Sequence, residues 1–163
     1  MRKAAALLAG LAVLAAVNFG IYQRERLLAD GRVVLLKLSP IDPRSLMQGD
    51  YMRLNFEVAD QAFPGFGDTE MGDGHIVVGV DGRNIAHFRR FADAATLGPD
   101  ELALRYRVRG GEPNFATNAF FFQEGRAAAY EKALYGEFRV APDGEMILTR
   151  LRGPRLEVLD EAR

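Results

Sequence analysis

The chain has 163 residues, a formal net charge of −1 and no cysteine. That length gives room for one domain beyond an N-terminal segment. The charge balance, with no Lys/Arg run interleaved with aromatics, excludes nucleic-acid binding and any one-signed field toward anionic lipid, while the missing thiols exclude disulfides, thiolate zinc sites and cysteine nucleophiles and leave the compartment open.

Arg2 and Lys3 precede an uncharged run from Ala4 to Tyr22. Roughly 20 apolar residues cross a bilayer's hydrocarbon core, so the run predicts a transmembrane anchor within residues 1–26. A cleaved leader is the competing reading, with its best cut after Ala15 and Val13 at −3. Apolar character continues through Phe19, Gly20 and Ile21, which favours the anchor. The basic pair favours a cytoplasmic N-terminus, although Arg24 and Arg26 beyond the run keep the bias small. Residues 27–163 then form a periplasmic domain of an inner-membrane protein. Ala12, Ala16 and Gly20 share one helix face near Asn18, which fits either a second helix packed closely or an anchor with no partner.

The helix is expected to continue through Gln23 to Asp30 and stop at Gly31. Arg32 to Leu38 reads as a buried strand ended by Ser39-Pro40, and Ile41-Asp42-Pro43-Arg44 as a turn. Alternation is clearest next: Met52, Leu54, Phe56 and Val58 on one strand face, Tyr51, Arg53, Asn55 and Glu57 on the other. Gly49 and Asp50 suit the turn that starts this strand, and Tyr51 falls on its polar face. A glycine-rich acidic loop follows, from Phe63 to Gly74. Strands are expected at Ile76–Val80 and Asn84–Phe91, joined through Asp81-Gly82. Another covers Leu102–Arg109, with Leu102, Leu104, Tyr106 and Val108 inward, Ala103 and three arginines outward, and a break at Gly110-Gly111-Glu112-Pro113. Ala119–Gln123 is a short strand in which Phe121 must oppose Phe120 and Phe122, so that either both faces are covered or Phe121 is exposed at a contact. Gly125–Ala133 is a helix candidate, Leu134–Val140 and Met146–Leu151 flank Pro142-Asp143-Gly144 as a hairpin, and Leu156–Leu159 reads as a short edge strand. The fold class expected is mainly β (α+β): an N-terminal transmembrane helix, then a mostly antiparallel sheet domain with one or two short helices.

Gly49-Asp50-Tyr51-x-x-Leu54-x-Phe56 resembles the signature of the bacterial GDYXXLXY family, with Phe where the family often has Tyr. A second block, Glu124-Gly125-Arg126, Tyr130-Glu131, Ala133 and Tyr135-Gly136-Glu137-Phe138-Arg139-Val140, resembles that family's C-terminal half. The resemblance spans nearly the whole chain and implies a membrane-anchored protein. It brings no activity and no cofactor.

One constellation could carry catalysis. The anchor followed by Ser45 and Gly49-Asp50 is similar to the serine neighbourhood of type I signal peptidases, which pair that serine with a desolvated lysine base. This chain lacks a proline three residues after Ser45, and Lys37 and Lys132 are its only lysines beyond the anchor. Arg89-Arg90 stands where a second-strand lysine would be expected, and arginine cannot serve as a base. Lys37 is therefore the candidate partner of Ser45. For a metal, Asp68, Glu70, Asp73 and His75 offer ligands, but their spacing does not fit a calcium loop and His87 falls on a separate strand, so no metal site is expected. Arg105, Arg107 and Arg109 make one basic strand face, most simply solvated with Glu or Asp opposite.

The functional expectation is a non-enzymatic accessory or interaction subunit whose partners are other inner-membrane proteins, with a Ser/Lys hydrolase at the membrane surface as the alternative. Gly49, Asp50, Tyr51, Leu54, Phe56, Tyr130, Glu131 and Tyr135 are the candidate binding residues. Asp50 or Tyr51 is expected to meet Tyr130, Glu131, Tyr135 or Arg139 in one polar cluster.

Overall fold

One long helix leads into antiparallel sheet in the computed structural model, which describes residues 2–39, 47–48, 51–64, 72–91 and 97–159. Helix α1 (Arg2–Asp30) has its apolar side chains exposed on all sides, from Leu7 through Tyr22. A helix apolar all round needs apolar surroundings. The stretch Leu7–Asp30 is long and apolar enough to cross a membrane. Asn18 Nδ2 donates to the Leu14 carbonyl at 2.8 Å, so the amide bonds within its own helix.

The helix ends where Gly31 N–H donates to the Leu27 carbonyl at 3.0 Å, at the residue expected to stop it. The reason is close approach: a Cβ on Gly31 would collide with the Leu27 carbonyl and sit 3.1 Å from Arg139 Cβ. Arg139 Nη1 donates to the Gly31 carbonyl at 2.9 Å, and Leu27 is buried at the same junction. Helix and sheet are thus fastened at one point.

Among the described residues, three antiparallel sheets follow. The first has the order β1-β9-β10-β11, from β1 (Arg32–Lys37), β9 (Tyr135–Val140), β10 (Met146–Arg152) and β11 (Val158–Leu159). The second has the order β2-β3-β8, from β2 (Met47–Gln48), β3 (Tyr51–Arg53) and β8 (Ala119–Phe121). The third has the order β5-β4-β6-β7, from β4 (Gly74–Val80), β5 (Ala86–Phe91), β6 (Glu101–Arg109) and β7 (Glu112–Asn114). Among the described residues two short helices, α2 (Glu57–Ala62) and α3 (Ala127–Tyr130), accompany the sheets of a mainly β fold. One apolar cluster joins all three sheets, with Val34, Leu36, Phe56, Ile76, Leu104 and Phe138 fully buried in it.

Several expectations need correction. The signature strand ends at Arg53, and α2 begins at Glu57 rather than the strand running on to Val58. The alternation was nonetheless informative: Met52, Leu54, Phe56 and Val58 are all buried, because α2 turns Val58 back to the core. Ala103 is buried, not outward, since β6 lies between two strands and the Pro142-Asp143-Gly144 turn lies against it. The expected break at Gly110 is a turn, with φ of 59° and 80° at Gly110 and Gly111, that returns the chain as β7. Pro113 lies in that edge strand, where its missing N–H costs no ladder bond. Helix α3 is shorter than the 125–133 expected for it. Phe121 is 74% exposed while Phe122 is buried, as their alternation required.

Candidate functional site

The two family blocks meet in the fold. Strand β3 pairs with β8, setting Tyr51 opposite Phe121 and Met52 opposite Phe120. Phe120 and Phe122 both pack on Tyr130, with ring centroids 5.0 and 5.4 Å away. Deeper in, Phe56 meets Phe138 edge-on at 5.4 Å. Gly136 lies beneath them: a Cβ there would be 3.0 Å from the Phe138 ring, 3.2 Å from Leu148 and 3.3 Å from the Phe56 ring. Gly136 and Phe56 belong to different blocks, yet each fixes how much room the other has.

Among the described residues, rings and backbone bonds join the blocks here, and the expected polar cluster falls partly outside them, at Asp50. Arg139 is turned to the Gly31 carbonyl, and Glu131 is exposed. Tyr51 is half-buried and tilts against Phe121 at 5.8 Å. Leu54 N–H donates to the Asn118 carbonyl at 2.8 Å, and Leu38 bridges to Phe56, which ties the first strand to the signature. Beside it a cavity of about 160 Å³ is lined by Arg53, Asn55, Asp60 and Glu112, with Arg53 paired to Glu112 at 2.8 Å.

A polar cluster does form one step away, around Lys37. Its Nζ lies 2.8 Å from Glu57 Oε2, and Gln61 holds the other carboxylate oxygen at 3.0 Å. Tyr135 is the cross-strand neighbour of Lys37. The hydrogen bond that Lys37 donates to Glu57, then the Glu57 charge, push the Lys37 pKa up from its ordinary value, and Tyr135 adds in the same direction. A lysine base needs the opposite, a pKa brought down by desolvation or by neighbouring cations. Lys37 is thus held as the cation of an ion pair with Glu57. Ser45, Gly49 and Asp50, and with them Asp68 and Glu70, lie outside the described residues.

Asp73 instead accepts the Val108 N–H at 2.9 Å, and His75 Nε2 lies 3.2 Å from the Asp143 carbonyl. Among the described residues, no three His, Asp or Glu side chains are gathered as a metal site.

One residue of the second block carried no sequence signal. Glu137 is 4% exposed, and Arg152, Arg150 and Thr149 converge on its carboxylate. The register of β9 on β10 slips between Leu148 and Arg150, and this bulge turns the Thr149 hydroxyl to Glu137, 3.1 Å from both its carbonyl and Oε1. The block's Tyr-Gly-Glu-Phe string therefore has a structural account. Gly136 admits the rings, Glu137 gathers the arginines of β10, and Phe138 fills the core.

No curated protein and no solved structure matches the chain. The family described as GDYXXLXY protein matches residues 13–151, most of the chain and both blocks, so the chain belongs to the GDYXXLXY family.

Proposed function

We propose that this is a single-pass inner-membrane protein whose periplasmic domain is a non-enzymatic interaction subunit, working beside other membrane proteins. The observation that carries the reading is the outward aromatic pair on the signature strand and its neighbour. Phe121 is 74% exposed, with the Tyr51 ring laid against it. Large exposed aromatics set in a sheet are the usual anchors of protein contacts. The anchor itself is supported by α1, whose apolar residues face outward all round and whose far end is fastened to the sheet through Leu27, Gly31 and Arg139.

A photo-crosslinking residue placed at Phe121 in native membranes is expected to trap a discrete membrane protein. The same residue at Arg155, exposed near the end of the domain, should not. Equal adducts at both positions, or none, would sink the interaction reading. Location is tested separately. The chain has no cysteine, so a single cysteine in place of Arg155 can be labelled by a membrane-impermeant maleimide. Labelling in intact spheroplasts is expected; protection until lysis would reverse the orientation. Intact mass should return the full chain, and a mass beginning near Ala16 would replace the anchor by a leader.

A further inference from the structure

The net charge of −1 conceals a local excess of cations where the helix meets the sheet. Two adjoining cavities, of about 260 and 710 Å³, share Arg24, Arg105 and Glu145 in their walls. Arg107 and Arg109 complete the smaller one, so four guanidinium groups line it against one carboxylate.

That carboxylate is already heavily used. Glu145 Oε1 alone accepts from Arg105 Nη1 at 2.7 Å and from Arg107 Nη2 at 2.5 Å. Each guanidinium carries five N–H donors, and the two side chains remain 41% and 44% exposed. Arg109 reaches Asp73 only at 3.4 Å, and Arg24 is exposed on the helix with no carboxylate partner among the described residues. Asp30 and Asp143 line the larger cavity, so the cationic excess is concentrated in the smaller. The arrangement is held in place by the fold. Arg105 N–H donates to the Gly144 carbonyl at 2.9 Å, and Gly144 has φ of 84° in a turn where a Cβ would press on His75 and Arg105.

Depth matters as much as charge. With a rise of about 1.5 Å per residue, Arg24 lies about 3 Å past Tyr22 along the helix. The headgroup layer extends roughly 5–7 Å beyond the hydrocarbon core. If Ala4 to Tyr22 fills the core, Arg24 stands at the level of the lipid phosphates. Guanidinium groups are suited to phosphate by their planar paired donors.

We propose that the cavity formed by Arg24, Arg105, Arg107 and Arg109 binds the phosphate of an anionic phospholipid headgroup in the leaflet that the helix leaves. The inference rests on the anchor reading above. The lipid then orients the domain on the membrane, because the cavity joins the last turns of α1 to β6.

Native mass spectrometry of the full chain in neutral detergent, given equal phosphatidylglycerol and phosphatidylcholine, tests it. The wild type is expected to retain phosphatidylglycerol preferentially. The double variant Arg24→Gln, Arg109→Gln leaves the Glu145 pairs intact and should lose at least about fivefold of that preference, the effect of one arginine near an anionic surface. Circular dichroism should show both proteins equally folded. Equal retention of the two lipids by the wild type overturns the proposal, as does a preference that survives in the folded double variant. Inorganic phosphate that binds the wild type over the variant, without lipid selectivity, overturns the lipid in favour of a soluble anion. An intact mass that begins after the apolar run fails the anchor on its own, whereas lost selectivity in a full-length chain fails only the cavity.

Discussion

Glu137 and Glu145 each gather two arginines, and they stand in opposite surroundings. The Glu137 side chain is 5% exposed, with Arg152 on one oxygen and Arg150 at 3.3 Å on the other, and Thr149 adds a hydroxyl. The Glu145 side chain is 25% exposed and offers a single oxygen to Arg105 and Arg107, at the edge of a cavity holding two further arginines. The same ions do different work. Buried, the carboxylate is saturated and fastens β9 to β10. At the surface, the arginines remain partly exposed and keep donors that Glu145 does not use.

The comparison breaks most visibly at the buried end. Glu137→Ala leaves Arg152, whose side chain is 25% exposed, without its carboxylate. Removing one partner of a buried pair costs about 3–5 kcal/mol, and denaturant unfolding of the full chain in micelles should read a loss of that size. A loss under about 1 kcal/mol would put Glu137 in the same class as an exposed pair. Next in size is Gly136→Ala, which forces a methyl against Phe138, Leu148 and Phe56. Overpacking of this kind costs about 1–3 kcal/mol. Unchanged stability in the same assay would mean that the two family blocks are not locked together at this glycine.

The sequence was most legible where local rules and burial coincide. Met52, Leu54, Phe56 and Val58 alternate, and all four are buried. Pro142-Asp143-Gly144 made its turn, and Phe121 faced away from Phe122. Glu137 was not legible, because its partners arrive through a bulge at Thr149 that no periodicity records. Ala103 was misread because alternation assumes one solvated face, whereas a turn from another sheet covers the outer side of β6. Strand β7 was missed because proline stops strands in general yet is permitted on an edge. The polar cluster expected at the family blocks joins Asp50 or Tyr51 to Tyr130, Glu131, Tyr135 or Arg139, and Asp50 lies outside the described residues. The Lys37–Glu57 pair beside Tyr135 is assembled from residues 20 positions apart, a spacing that no local pattern records.

The surface end of the comparison should respond weakly in stability and in the opposite sense in binding. Glu145→Gln removes the charge shared by Arg105 and Arg107, and exposed pairs are worth about 0–1 kcal/mol. Unfolding should therefore change by no more than that, while retention of phosphatidylglycerol rises, since two guanidiniums lose their internal competitor. Falling retention would show instead that Glu145 is needed to hold the arginines in place.

A third carboxylate–arginine pair, Glu101 with Arg90 at the other end of β6, gives the smallest effect and a pH signature. Arg90 Nη2 lies 2.8 Å from Glu101 Oε2, and the Gly98 N–H donates to that oxygen at 3.0 Å. The Arg90 hydrogen bond first, then the Gly98 amide, bring the Glu101 carboxyl from 4.5 down to about 2. A folded-state pKa below the unfolded one means that the contribution is fully present above about 4.5 and is lost as pH falls toward about 2. Glu101→Gln should therefore leave Tm close to wild type in acid and slightly lower it near neutrality, so the two Tm-against-pH curves converge below about pH 4.5. Parallel curves through that window would show that Glu101 has the same proton affinity folded and unfolded. The pair would then contribute no acid dependence, and the contrast between a saturated and an open carboxylate would rest on Glu137 and Glu145 alone.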